Sequence, residues 1–229
     1  MVILILIAFI MISIGVDAAI KYSRQRKLKV PAFASVPFKV FNEYTVTIPK
    51  GIYFDKTHTW AFMEKNGMVK IGLDDFLLHI IGSLNKLKLK NSGDKVQKGE
   101  ALLSIIQNGK QLTIYSPISG TVKYQNNLLV KDPLLVNSSP FNEGWLYMIE
   151  PSNWLRENQF MFMADKYMEW LNFEFSRVKD FLSTIGQINN LEPSLIILQD
   201  GGELKDNVLE DFGPEVWDDF QTKFINISK

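Results

Sequence analysis

Short apolar segments separated by turn-forming residues fill the stretch from residue 51 to residue 149. Asn66-Gly67 and Asn91-Ser92-Gly93 mark two of the turns, because Asn and Gly tolerate the positive φ angles of tight turns. A series of short strands with regular turn signals is typical of a small β-sandwich or barrel. The sequence therefore predicts a β-rich central module, with boundaries at residues 38–151.

One helix is predicted inside this module, over residues 74–81. Its apolar positions recur at helical spacing: Phe76, Leu77, Ile80 and Ile81. Gly82 supplies a left-handed stop. Asp74 and Asp75 point away from one another on a helix, so we interpret them as acids favoured at a helix start and not as a paired acid site.

A hairpin is predicted between Ala101 and Pro117. The pair Asn108-Gly109 separates two apolar strands, and Asn-Gly in that setting is the strongest local signal for a two-residue type I′ turn. Asn108 and Gly109 are therefore expected at the tip, and Lys110 is expected as the first strand residue after it.

The central module resembles the glycine cleavage H protein family over residues 51–151. The matching motifs, in the family's order, are Lys56-Thr57-His58 with Trp60, Ile71-Gly72-Leu73-Asp74-Asp75-Phe76, the turn from Gly93 to Glu100, Tyr115-Ser116-Pro117-Ile118-Ser119-Gly120, and Gly144-Trp145-Leu146. The resemblance implies a lipoyl-type β barrel-sandwich that presents a lipoylated lysine at a hairpin tip. It also implies a carrier that performs no chemistry alone, so we expect no enzyme.

The family's lysine lies six residues before the Tyr of its Tyr-Ser-Pro motif, and Gly109 occupies that position here. Lys110, one step later, is the candidate for lipoyl attachment. The family's Glu, three residues before its lysine, is replaced by Ile106 or Gln107, depending on the alignment. Two interpretations stay open: Lys110 is modified, or it is an ordinary exposed lysine. We expect Lys110 to be exposed and unmodified, and therefore expect no cofactor.

Other chemistry is sparse in this sequence. There is no Cys, which removes thiolate catalysis and Cys-ligated metal sites. His58 and His79 are the two histidines, and they lack metal-ligand spacing. His58 matches a family position, and a structural role is expected for it. His79 is expected to be a surface or cap residue. No catalytic and no metal site is predicted.

The amino terminus reads as a membrane anchor. Residues 2–20 form an almost continuous apolar run of about the length that crosses a bilayer. Five cations and no acid follow within residues 21–29, which by the positive-inside rule keeps the globular part cytoplasmic. A cleaved signal peptide is the alternative, although it lacks the usual basic start. Residues 21–37 are expected to be a basic segment and a Pro-containing linker, and Val40–Ile48 a leading strand.

Residues 152–229 are predicted to form an α-rich extension. Start signals at residues 151–153 precede one apolar stripe at helical spacing: Phe160, Ala164, Tyr167, Leu171, Phe175, Val178 and Leu182. Further aromatic residues exceed this stripe, so we expect both packing on the sandwich and an exposed surface for a partner. A strand at Ser194–Gln199 and a final helix at Asp211–Ile225, with Pro214 in its first turn, complete the prediction. The acids near the start of that final helix are a solvated face or a docking surface.

These expectations combine into one fold class, α+β, with a transmembrane helix, a lipoyl-type sandwich and a helical extension. Net charge is zero, so no nucleic-acid partner is expected. The first functional hypothesis is a non-enzymatic scaffold subunit, anchored through residues 2–20 and binding protein partners of a complex. The alternative is a lipoyl carrier modified at Lys110 that moves an aminomethyl group or electrons between enzymes.

Overall fold

Antiparallel sheets form the centre of the protein. The computed structural model describes residues 39–188, 197–198 and 203–226. The strands in chain order are β1 (Val40–Phe41), β2 (Tyr53–Asp55), β3 (Thr59–Met63), β4 (Val69–Leu73), β5 (Lys86–Leu89), β6 (Lys95–Val96), β7 (Ala101–Gln107), β8 (Lys110–Tyr115), β9 (Gly120–Gln125), β10 (Tyr147–Pro151), β11 (Ile197–Leu198) and β12 (Glu203–Lys205). One sheet has the order β2-β3-β4-β10-β9-β6, and a second has the order β5-β7-β8. This confirms the predicted β-sandwich.

The predicted helix at residues 74–81 is present as α1, Asp75–Ile81. The Asp74 side chain accepts a hydrogen bond from the Leu77 amide at 2.7 Å and caps the start of the helix. Gly82 ends it with a φ of 77°. The apolar face is buried, so α1 is held by the core as well as by its caps.

Two short helices, α2 (Leu128–Lys131) and α3 (Leu135–Ser138), follow β9. The extension then begins with α4 (Trp154–Glu157) and a 3-10 turn at Asn158–Phe160. The long helix α5 spans Ala164–Ile188. The prediction of one continuous helical stripe that begins at Phe160 was therefore wrong at its start, because Phe160 lies in the 3-10 turn before α5. Phe162 leaves the helical path because its backbone pairs with Phe54 through two hydrogen bonds of 2.8 Å.

A third, small sheet joins the two ends of the described chain, in the order β1-β12-β11. The predicted strand over Val40–Ile48 is correct only for Val40–Phe41. Asn42 ends the strand, since its side chain accepts a hydrogen bond from the Tyr44 amide at 3.1 Å and so forms a turn. Within the predicted strand Ser194–Gln199, the structure describes β11.

The carboxy-terminal part continues with a 3-10 turn at Val208–Asp211, then α6 (Pro214–Phe220) and a wider helical turn at Gln221–Ile225. Pro214 occupies the first turn of α6, as predicted. Among the described residues no helix is both long and apolar enough to cross a membrane. The predicted anchor at residues 2–20 and the linker at residues 21–37 lie outside the described residues, and the anchor stays a prediction.

Candidate functional site at the hairpin tip

The hairpin of β7 and β8 has the tip that the sequence predicts. Gln107 pairs with Lys110, which leaves Asn108 and Gly109 as the two turn residues. Their φ angles are 49° and 81°, the positive pair that a type I′ turn requires. A Cβ at Gly109 would have no atom within 4 Å, so the tip itself is open.

Lys110 is buried, with only 6% of its surface exposed. Its ammonium group donates a hydrogen bond to the Glu210 carbonyl oxygen at 2.8 Å. The same group lies over the Trp217 indole, 5.0 Å from the ring centroid. The prediction that Lys110 is exposed was therefore wrong. Strand alternation gives the physical reason, because Lys110 shares the inward face of β8 with Leu112 and Ile114.

Gln107, at the other side of the tip, also contacts Glu210. Its amide nitrogen donates to the Ser83 carbonyl oxygen at 2.7 Å and to the Glu210 side chain at 3.2 Å. Gln107 is fully buried. Both residues that flank the turn are thus bound by Glu210, one through its backbone and one through its carboxylate.

Gln221 covers the edge of β8 at Thr113. Gln221 accepts a hydrogen bond from the Thr113 amide at 2.7 Å and donates one to the Thr113 carbonyl oxygen at 3.0 Å. The side-chain amide therefore satisfies the edge strand as a neighbouring strand would. Asn226 extends the contact by accepting from the Tyr115 hydroxyl at 2.8 Å. We call residues 207–226 the cap.

His79 fastens the start of the cap to α1. The Asn207 amide donates to the His79 carbonyl oxygen at 2.7 Å. The His79 ring lies 2.6 Å from the Asp206 carboxylate and 3.6 Å from that of Asp75. Burial alone would lower the pKa of His79, but the hydrogen bonds to Asp206 and Asp75 outweigh it and raise the pKa to about 9. His79 is thus a charged connector between elements and not a free surface residue.

A second buried polar cluster connects α5 to the sandwich. His58 is fully buried, and its Nδ1 lies 2.9 Å from the Asp74 carboxylate. The Tyr167 hydroxyl donates to the same carboxylate oxygen. Burial opposes charge on His58, but Asp74 and then Glu174 raise the pKa of its ring above the ordinary value. His58 has no route to solvent, which agrees with the structural role expected for it.

The lipoyl group that the resemblance implies does not fit Lys110 in this arrangement. Acylation of its amine would remove the charge over Trp217 and require room for a long chain inside a packed interface. The family's own lysine position, Gly109, has no amine. Sequence motifs alone do not point to Glu210, Trp217 or Gln221, because they lie about 100 residues from the hairpin. The alternation of Lys110, Leu112 and Ile114 was the available signal that the lysine faces inward.

The extension exposes several large apolar side chains, as predicted. Phe160 is 67% and Phe173 is 70% exposed, whereas Phe162 and Trp170 are half-buried. The stripe residues Tyr167, Leu171, Phe175, Val178 and Leu182 are buried. The extension therefore packs on the sandwich through one face of α5 and leaves a second apolar surface open.

Comparison with known proteins agrees with this architecture. The family model described as "Glycine cleavage H-protein" matches residues 52–174, so the match extends beyond residue 151, where the resemblance seen in the sequence ends, and continues into α5. The glycine cleavage system H protein of Xanthomonas oryzae pv. oryzae is 36% identical over 104 residues, covering 45% of this chain and 79% of that protein.

The glycine cleavage system H protein of Thermus thermophilus is 33% identical over 128 residues, covering 56% of this chain and 98% of its relative. A solved H protein from Mycobacterium marinum shares the fold with a TM-score of 0.50 at 22% identity, covering 55% of this chain and 99% of that one. The motifs, the sandwich and the extent of the family match together show that this chain belongs to the glycine cleavage H-protein family.

Proposed function

We propose that this protein is a non-enzymatic scaffold member of the H-protein family that is not lipoylated. The observation that supports this proposal is the burial of Lys110 between the Glu210 carbonyl oxygen and the Trp217 ring. A ligase must reach a lysine amine from solvent. The amine of Lys110 is already hydrogen-bonded, and the residue is only 6% exposed, so it offers no such access.

The exposed apolar residues of the extension give the protein a surface for interaction with a protein partner or a membrane. Contiguous exposed apolar surface is uncommon on soluble monomers and marks interaction sites. We also propose that residues 2–20 anchor the chain in a membrane, with the globular part in the cytoplasm. The support is the apolar run of bilayer-spanning length and the basic segment that follows it.

Lipoylation in vitro tests the first part of this proposal. The full chain is incubated with lipoate, ATP and a lipoyl ligase, beside an H protein that the ligase modifies. We expect no added mass on the wild type and none on Lys110→Arg. The double variant Gly109→Lys/Lys110→Arg is expected to gain the label, because Gly109 lies at the open tip. A lysine at position 109 would be strained by about 1–2 kcal/mol, because φ is 81° there.

Efficient labelling of the wild type that Lys110→Arg abolishes would contradict the proposal and favour the carrier function. Extraction of membranes with alkaline carbonate tests the anchor. We expect the full chain to stay with the membrane and a chain lacking residues 1–29 to be released. A full chain that is released by carbonate, or whose native amino terminus lies near Ala19, would show that the anchor is wrong.

A further inference from the structure

The exposed apolar surface of the extension is flanked by lysines. Phe160, Met163 and Phe173 are exposed apolar residues of this surface, at 67%, 49% and 70%. The half-buried Phe162 and Trp170 stack on one another, with ring centroids 5.9 Å apart. Lys56 lies 5.8 Å from the Phe162 ring centroid, and Lys98 lies 5.6 Å from that of Phe160. We call this the aromatic–lysine surface.

A cleft of about 550 Å³ adjoins this surface. Met161, Met163 and Ala164 supply its apolar wall, and Lys50, Asp165 and Lys166 also line it. Within the described part of the chain, no carboxylate lies within a salt-bridge distance of Lys50, Lys56 or Lys166. Three exposed ammonium groups without a salt bridge therefore lie beside the apolar surface, against the exposed Asp165 carboxylate in the lining of the cleft.

We propose that the aromatic–lysine surface rests on the anionic leaflet of a membrane, with the Phe side chains at the acyl boundary and the lysines at the headgroups. Phe and Trp on one side with Lys at the border is the composition of interfacial membrane-binding elements. Protein–protein interfaces, in contrast, are depleted in Lys relative to the rest of the protein surface. The lysines therefore favour an anionic membrane over a protein as the occupant.

The covalent link between this surface and the proposed membrane anchor also favours a membrane as the occupant. The proposal rests in part on the anchor, which ends at residue 20, whereas the described chain begins at Lys39. The chain between these points spans on the order of 60 Å at most, by the limit of an extended backbone. An anchored chain thereby keeps this surface at high effective concentration near one leaflet.

Single-cysteine labelling tests this surface cleanly, because the chain has no Cys. An environment-sensitive fluorophore is placed at Gln159→Cys, beside Phe160, or at Ser176→Cys, one helical turn after Phe173. Asn127→Cys, beside the exposed Leu128 and Val130, controls for generic apolar contact. The full chain is reconstituted in vesicles of phosphatidylglycerol and phosphatidylcholine, and in vesicles of phosphatidylcholine alone. Quenching by brominated acyl chains reports contact with lipid.

We expect quenching at positions 159 and 176 in the anionic vesicles, weaker quenching in the neutral ones, and none at position 127. Each of Lys50→Gln and Lys166→Gln should lower the ratio of lipid-bound to free surface about 5-fold, at about 1 kcal/mol for each lysine. The proposal would be overturned if the fluorophores at positions 159 and 176 both reported an aqueous environment while the anchor was inserted in the vesicle. Equal quenching at position 127 would overturn it as well. Protection of these labels in native membranes but not in vesicles would also overturn it and assign the surface to a protein.

The anchor is scored separately by carbonate extraction of the same vesicles. A chain that is extracted contradicts the proposed anchor. The labelled chain is then mixed with preformed anionic vesicles, where quenching at positions 159 and 176 supports the surface proposal and its absence overturns it.

Discussion

The Lys110 ammonium group lies 5.0 Å from the centre of the Trp217 indole, across an interface between residues more than 100 positions apart. Trp217 is itself fully buried, and its indole nitrogen donates to the Leu209 carbonyl oxygen at 2.8 Å. The ring is therefore held in place by the cap and not by the lysine. Burial of Lys110 follows from the folding of the cap onto β8.

Loss of the indole should release Lys110. Trp217→Ala removes the surface under the ammonium group and should cost about 3–5 kcal/mol in unfolding free energy. Acetylation of the folded chain, read by mass spectrometry, should then modify Lys110 nearly as well as the exposed Lys86, whereas wild-type Lys110 reacts far more slowly. Trp217→Phe keeps a ring in place and is the matched control. Rapid acetylation of Lys110 in the wild type would contradict the buried geometry.

Gln221 should protect the edge of β8. Gln221→Ala leaves the Thr113 amide and carbonyl without their side-chain partner, which should cost about 1–3 kcal/mol. Hydrogen exchange at the Thr113 amide should accelerate. Exchange at the Leu112 amide should change less, because Leu112 pairs with Ile105 of β7. Thr222→Ala, the neighbouring exposed position, serves as the control. Unchanged exchange at Thr113 would show that Gln221 does not cover the edge.

Local signals predicted the parts of the fold that local physics determines. Asn108-Gly109 fixed the type I′ tip, Asp74 and Gly82 fixed the limits of α1, and Pro214 marked the start of α6. Each of these features depends on residues within one turn of the chain. The pattern around residues 51–151 also identified the sandwich, because its turns and motifs occur in the family's order.

The cap could not be placed from the sequence, because its contacts with the hairpin are separated by about 100 residues. The pairing of β1 with β12 also joins residues that are far apart in the sequence. A short strand at Val40–Phe41 therefore forms in place of the expected long strand at Val40–Ile48. The inward direction of Lys110 was accessible through the alternation with Leu112. Lysine is almost never fully buried unless paired, which is why exposure was the expectation. Its partners, Glu210 and Trp217, only appear once the tertiary structure is known.

Tyr167 should stabilise the attachment of α5 through its hydroxyl. Tyr167→Phe leaves the Asp74 carboxylate with one fewer donor in a fully buried site and should cost about 1–3 kcal/mol in urea unfolding. Tyr124→Phe removes a hydroxyl at a side chain that is 56% exposed, and should change stability by less than about 0.5 kcal/mol. Equal effects of the two variants would argue against a stabilising role for the buried hydroxyl.

His79 should make the protein less stable at alkaline pH. Its folded-state pKa is raised to about 9 from an ordinary value of 6.5, so the contribution is complete below pH 6.5 and is lost as the pH rises through about 9. A shift of this size corresponds to stabilisation on the order of 3 kcal/mol. The same contacts lower the pKa values of Asp75 and Asp206, although burial opposes this, so their contribution is lost as the pH falls through those lowered values.

Unfolding free energies measured between pH 6 and pH 10 should therefore decline more steeply for the wild type than for His79→Gln. The raised pKa of His58 adds a decline that both proteins share, so the difference between the two curves isolates His79. Parallel curves would show that the pairing of His79 with Asp75 and Asp206 contributes nothing to folding.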